Sequence, residues 1–170
     1  LDKKIGRNDR MAGVVYEVGD MLDYFRHHER VSGIQRVQVE ICRYLIGKDR
    51  SARFVSLFPH GFPVEIRSEN LNQLISMTDS TSVTVEALRE YIETFLRNVK
   101  PAHLGGGASM VILGAFWNMP FAMRTLAQVS NAGVNVGAYI YDLIPITHPE
   151  FCDEPLVRSF EKTFCQMAHI

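Results

Sequence analysis

The chain lacks most of the features that name a function outright. It has three cysteines, Cys42, Cys152 and Cys165. An odd number with no C-x-x-C spacing argues against a disulfide framework and against a structural zinc site, and a reducing cytosol is the simplest home. A surplus of one charge is missing too: 18 Lys and Arg stand against 19 Asp and Glu, a net charge of −1. Such a balance exerts no bulk pull on nucleic acid or acidic lipid, which argues against a general nucleic-acid binder. The longest apolar stretch, Met110 to Met123, is broken by Asn118 and Pro120 and falls short of the ~20 residues that span a bilayer. The first ten residues are polar and have no signal-peptide core. No initiator Met is present, as expected of a trimmed or internal start. Walker, G-x-G-x-x-G and G-x-S-x-G motifs are all absent, as are internal repeats and any strong basic amphipathic helix.

What remains is an ordinary folding composition. Of 170 residues, 46% are hydrophobic and 22% charged, right for a soluble domain and wrong for a disordered one. The length suits one domain or a piece of a larger protein.

Residues 13–18, G-V-V-Y-E-V, predict a short strand that ends at the turn pair Gly19-Asp20, followed by a charged loop at 25–30. Ile34, Val37, Ile41, Tyr44 and Leu45 recur at helical spacing from 34 to 46, with Ser32 as N-cap and Gly47 at the end. A second strand is expected over 52–58. The polar stretch 60–82 gives no clear signal, apart from an apolar patch at Leu71–Ile75. Residues 83–99 predict a helix stopped by Pro101, and Gly105-Gly106-Gly107 a loop. Buried parallel strands are expected at 110–116 and 134–141, separated by a helix at 119–129. Two prolines should hold 143–151 extended. A last helix runs from Glu154, capped by Asp153. This alternation predicts an α/β, Rossmann-like three-layer domain with a mainly parallel sheet. With only about four strands and an amphipathic pattern still running at Ile170, the sequence is expected to be an incomplete domain.

Ligands of such sheets sit beyond the carboxyl ends of the strands, and two places qualify. One is Ser32-Gly33-Ile34-Gln35-Arg36, where a helix opens. Glycine there lets a ligand approach the backbone, free amides favour an anion, and Arg36 offers a planar fork. An ordinary capped helix with a solvated arginine has the same spacing. The other is Tyr141-Asp142 with the loop to His148. Asp142 closes an apolar strand, so it is either a turn cap or an active-site carboxylate. His148 is a candidate proton carrier near pH 7, or a loop histidine bonded to backbone. Asn118, after another strand, is a third candidate for the cleft. The adjacent His27-His28 do not share a helix face, so a solvated loop outranks a metal site. His103 to Gly107 has the shape of an esterase oxyanion loop, but the nucleophile elbow is missing.

Two strings carry a resemblance. D-Y-F-R-H-H-E-R-V-S-G-I-Q-R-V-Q-V-E-I-C-R-Y-L, from Asp23, resembles the first loop and helix of bacterial glycosyltransferases of family 4, which often contain T/S-G-I-Q-R-V. Y-D-L-I-P-I-T-H-P-E-F, from Tyr141, resembles their Y-D-L-x-P-x-x-H-P-E segment. The order and separation of the strings fit, and they cover about a fifth of the chain. The resemblance implies the GT-B architecture, two Rossmann-like domains facing across a cleft. It implies transfer of a sugar from a nucleotide-diphosphate donor to a glycan or lipid-linked acceptor, usually with retention and without an essential metal ion or other cofactor. Residues 1–170 would be the amino-terminal, acceptor-side domain, shortened at its end, with the carboxy-terminal donor-binding domain as its partner. Such enzymes assemble polysaccharide in the cytoplasm or at the inner membrane face.

Position by position, Gly33 matches the glycine near the donor phosphates, with Ser32, Gln35 and Arg36 around it. Asp142 matches the acidic or polar residue at the cleft. Tyr141 stands where many relatives carry histidine. His148 belongs to the matched string. The rival expectations are another GT-B-shaped nucleotide-sugar enzyme, an epimerase or hydrolase, and a non-catalytic α/β interaction module.

Overall fold

The computed structural model describes residues 13–49, 51–119 and 122–170. The expectations that fall on the first ten residues and on Pro120 lie outside these. β1 (Val14–Glu17) runs into α1 (Gly19–Phe25) and α2 (Gly33–Lys48). β2 (Arg53–Ser56), β3 (Val64–Ile66), α3 (Ser68–Thr78) and α4 (Val85–Leu96) follow. Next come β4 (Ser109–Ile112), a 3-10 turn at Phe116–Asn118, α5 (Ala122–Asn131) and β5 (Asn135–Ala138). The short α6 (Ile144–Thr147), a second 3-10 turn at Pro149–Phe151 and α7 (Glu154–Met167) complete the described chain.

The five strands form one sheet in the order β3-β2-β1-β4-β5. β2, β1, β4 and β5 are parallel, and β3 is antiparallel to β2. Strand alternation sends side chains to two cores. Phe54 packs with Met21, Phe25, Leu71, Leu74, Leu88 and Ile92 under α1 to α4. Val15, Val55, Met110 and Ile112 pack on the opposite face with Leu126, Trp117 and Phe160 under α5 and α7. Helices thus cover both faces, and the expected α/β class with a mainly parallel sheet holds.

Several local expectations are corrected. Gly19-Asp20 is not a turn pair but the start of α1, because Met21, Leu22 and Phe25 give even this short segment a face to bury. The stretch 60–82 holds β3 and α3. In α3 the spacing of Leu71, Leu74 and Ile75 is the helical signal that the polar neighbours obscure. β4 ends at Ile112 rather than 116, and Phe116 and Trp117 belong to the 3-10 turn, packed against Phe160. β5 is not a buried strand: it lies at the sheet edge, and Asn135 and Gly137 are exposed. The loop after it is helical rather than extended, since proline fits the first turn of α6 and of the following 3-10 turn. Gly47 lies inside α2. Ser32 and Asp153 occupy N-cap positions, but neither side chain bonds a helix amide. Thr84 does cap α4, accepting from the Ala87 amide at 3.3 Å.

Candidate functional site

Because four strands are parallel, their carboxyl ends bring four connections to one end of the sheet. β1 delivers Glu17 and α1. β2 delivers Leu57, β4 delivers Leu113-Gly114, and β5 delivers Tyr139 to Asp142. α2 opens at the same end. The side chains of Gln35 and Gln38, one turn apart on it, donate to the Asp20 carboxylate at 3.2 and 2.7 Å.

Asp20 is only 8% exposed and has no cation beside it among the described residues. Its neighbour Glu17 is fully buried. One carboxylate oxygen of Glu17 accepts from the amides of Gly19 (2.8 Å) and Leu57 (3.1 Å), which ties the ends of β1 and β2 together. Burial opposes the charge more strongly than those two amides favour it, and the nearby Asp20 adds repulsion, so the carboxyl is pushed up to about 7. Its other oxygen and the Gln38 carbonyl oxygen have no partner among the described residues. Two glycines make room for this cluster. A Cβ on Gly19 would overlap the Glu17 carboxylate, and one on Gly114 would overlap the Cβ of Asp20.

The expected site residues divide around this cluster. Gln35 is buried and engaged at both ends, bonding Asp20 and taking the Ser32 hydroxyl on its own oxygen. Ser32 is therefore turned away from helix capping. The amides of Gly33, Ile34 and Gln35 have no acceptor among the described residues, and the first bond into α2 is Arg36 N–H to the Ser32 carbonyl at 2.8 Å. A Cβ on Gly33 would meet nothing within 4 Å, so the backbone there is open to solvent. Arg36 is exposed and lines a groove with Tyr16, Val37 and Tyr44 along α2.

Tyr141 reaches back to the same end. Its hydroxyl donates to the Leu113 carbonyl at 2.6 Å, next to the glycine on which Asp20 rests. Burial, with Asp20 adding to it, raises its pKa, so it stays a neutral donor. Asp142 is exposed, and one of its oxygens accepts from the Ile144 amide at 3.0 Å. It thus caps the start of α6, and its second oxygen makes no hydrogen bond among the described residues. The other two candidates make no hydrogen bond with the cluster. Asn118 stands exposed at the end of its 3-10 turn, and the His148 ring lies 3.3 Å from Glu150 and near Phe151.

Glu17, Asp20 and Gln38 were not among the residues that the sequence singled out. Glu17 was the lone charge in an otherwise apolar strand, and Gln35 and Gln38 share a helix face. Neither signal says what the groups meet. Cys42 is buried, and its thiol is pushed up to about 12, which leaves it inert as a nucleophile. Among the described residues no group of three or more His, Cys, Asp or Glu is placed to hold a metal ion, and no helix is long and apolar enough to cross a membrane. Comparisons with family models, curated proteins and solved structures gave no match.

Proposed function

We propose that this chain is the acceptor-side half of a GT-B glycosyltransferase, which moves a sugar from a nucleotide-diphosphate donor to a glycan or lipid-linked acceptor. The observation that carries the reading is the mouth of α2. Three unengaged amides, at Gly33, Ile34 and Gln35, stand at the sheet end where β5 delivers Asp142, and the backbone at Gly33 is bare. Sugar transfer breaks the bond between the sugar C1 and a phosphate oxygen. The electron pair leaves on the diphosphate while the acceptor hydroxyl oxygen bonds C1 and its proton passes to the departing phosphate oxygen. Amides at a helix start stabilise the departing charge. The free oxygen of Asp142 supplies negative charge for the oxocarbenium-like centre or orients the acceptor. Ser32, Gln35 and Arg36 frame the donor phosphates, and Asn118, Tyr141 and His148 frame the acceptor side.

The reading calls for no essential metal and no nucleic acid. It places the donor-binding lobe of the same enzyme across the gap. The open side of β5 and the exposed Tyr139, Ile140, Leu143 and Ile144 support further cover there. It also places the enzyme in the cytoplasm, with peripheral contact at the inner membrane face, and makes residues 1–170 inactive alone.

The test is turnover of nucleotide sugars by the full-length enzyme. Gly33→Val, which blocks the amides, and Asp142→Ala should each lower transfer about 100-fold or more with a melting temperature close to the parent's. Full activity in both variants would favour a non-catalytic module. Release of free sugar or of an epimer, with no acceptor product, would move the assignment to a hydrolase or epimerase.

A further inference from the structure

At the opposite end of the sheet lies a cavity that the transferase reading does not use. Because β3 runs antiparallel, Arg67 emerges beside the amino-terminal ends of the parallel strands. The Glu65 amide donates to the Lys100 carbonyl at 2.9 Å, and Val64 bridges Pro101. The backbones that carry Arg67 and Lys100 are therefore held together at the mouth of a cavity of about 520 Å³ between β3, α3 and α4. That volume is within the range of small-molecule sites. Its floor is the buried Phe95 with Val99, and the carboxamides of Asn70 and Asn98 border it.

Charge decides what it would hold. The one carboxylate in the lining, Glu65, is already paired with Arg53, whose guanidinium approaches both its oxygens at 3.1 and 2.8 Å. Arg67 and Lys100 have no ion-pair partner among the described residues. The cavity thus presents two cations that are unpaired among the described residues, over an apolar floor.

We propose that this cavity binds a small organic anion, a carboxylate or phosphate monoester on a flat apolar body. The anionic head lies between Arg67 and Lys100, and the body rests on Phe95. Arg67 takes the head through its fork and Lys100 as a point charge. Neither half of such a ligand suffices: the exposed cations alone hold inorganic anions weakly, and the floor alone is small.

The test is a titration of the uniformly ¹⁵N-labelled whole chain, followed by amide chemical shifts. The probes are phenyl phosphate, phenylacetate, benzyl alcohol and inorganic phosphate. Phenyl phosphate or phenylacetate should give saturable shifts at residues 67–70 and 94–100 with a Kd near or below ~1 mM. The stronger of the two identifies the head group. Benzyl alcohol and inorganic phosphate should each bind at least about ten-fold more weakly. The Arg67→Ala/Lys100→Ala double variant should lose about ten-fold in affinity with its melting temperature unchanged. The proposal is overturned if neither aromatic anion gives saturable shifts there, if benzyl alcohol binds as well as they do, or if the double variant binds like the parent.

Discussion

The acidic cluster at the start of α1 and the mouth of α2 adjoin at one end of the sheet, and glycines stand at both, but for opposite reasons. Gly19 sits against the Glu17 carboxylate, Ser56 and Phe58, and Gly114 against Asp20; any side chain at either place collides. Gly33 touches nothing. The first pair is required by packing around two buried acids. The second is free of any packing demand, so whatever keeps the backbone bare at Gly33 lies outside the domain's own stability. A glycine near a candidate site is therefore informative only after its neighbours are known.

Gly114→Ala should strike hardest. The collision is with the Cβ of Asp20, which is fixed to the backbone and cannot swing aside. Relief requires moving α1 or β4, at the upper end of the cost of overpacking a core, about 3 kcal/mol. A fall in Tm of about 6–12 °C follows for a domain of this size. Calorimetry would check it; an unchanged Tm would mean that the acidic cluster is loosely held and that the contrast with Gly33 is false.

The acid itself gives the next test. Glu17 is raised from 4.5 to about 7 by burial, so the folded protein holds this proton more tightly than the unfolded chain. Its contribution is fully favourable below pH 4.5 and is lost as pH rises through 7, a swing of roughly 3 kcal/mol. Glu17→Gln copies the neutral acid, keeping an oxygen for the amides of Gly19 and Leu57. Urea denaturation should find parent and variant alike near pH 5 and the variant more stable at pH 8. A gap that shrinks with rising pH would reverse the assigned burial effect.

Gly19→Ala comes third. Here the colliding group is the far end of a side chain, which moves more easily than backbone. Its departure leaves the buried amides of Gly19 and Leu57 unpaired, at about 2 kcal/mol. The same denaturation series would show it, with a weaker pH slope than the parent because Glu17 is displaced.

This contrast also explains what the sequence could tell. α2, α4 and α7 were legible because each repeats apolar residues along one face, as Ile34, Val37, Ile41 and Leu45 do. The mouth at Gly33 was legible because a helix start is local. The acidic cluster was not, since it joins residues far apart in the chain: Asp20 with Gln38, Glu17 with Leu57, and Asp20 with Gly114. β3 is not legible, because three residues paired at an edge leave no period to detect. The apolar Val136 and Ala138 make β5 read as a buried strand, whereas its burial depends on a neighbour that composition does not reveal. Asp142 accepts from the Ile144 amide, which is the capping character expected of it.

Gly33→Ala should have the smallest effect and the opposite sign. Gly33 is the first residue of α2, and a Cβ there meets open space. Alanine keeps the amide N–H and removes backbone freedom from the unfolded chain, so the variant should gain about 0.4–1 kcal/mol. A rise of a few degrees in Tm would establish that the domain would fold better without this glycine. Full-length turnover then separates the two explanations for its presence. If the amides receive a ligand at close range, Gly33→Ala should cost activity while adding stability, and Gly33→Val should cost more, in step with side-chain bulk. If turnover is indifferent to both, the bare backbone at the mouth of α2 has no ligand to admit, and the transferase reading loses its main support.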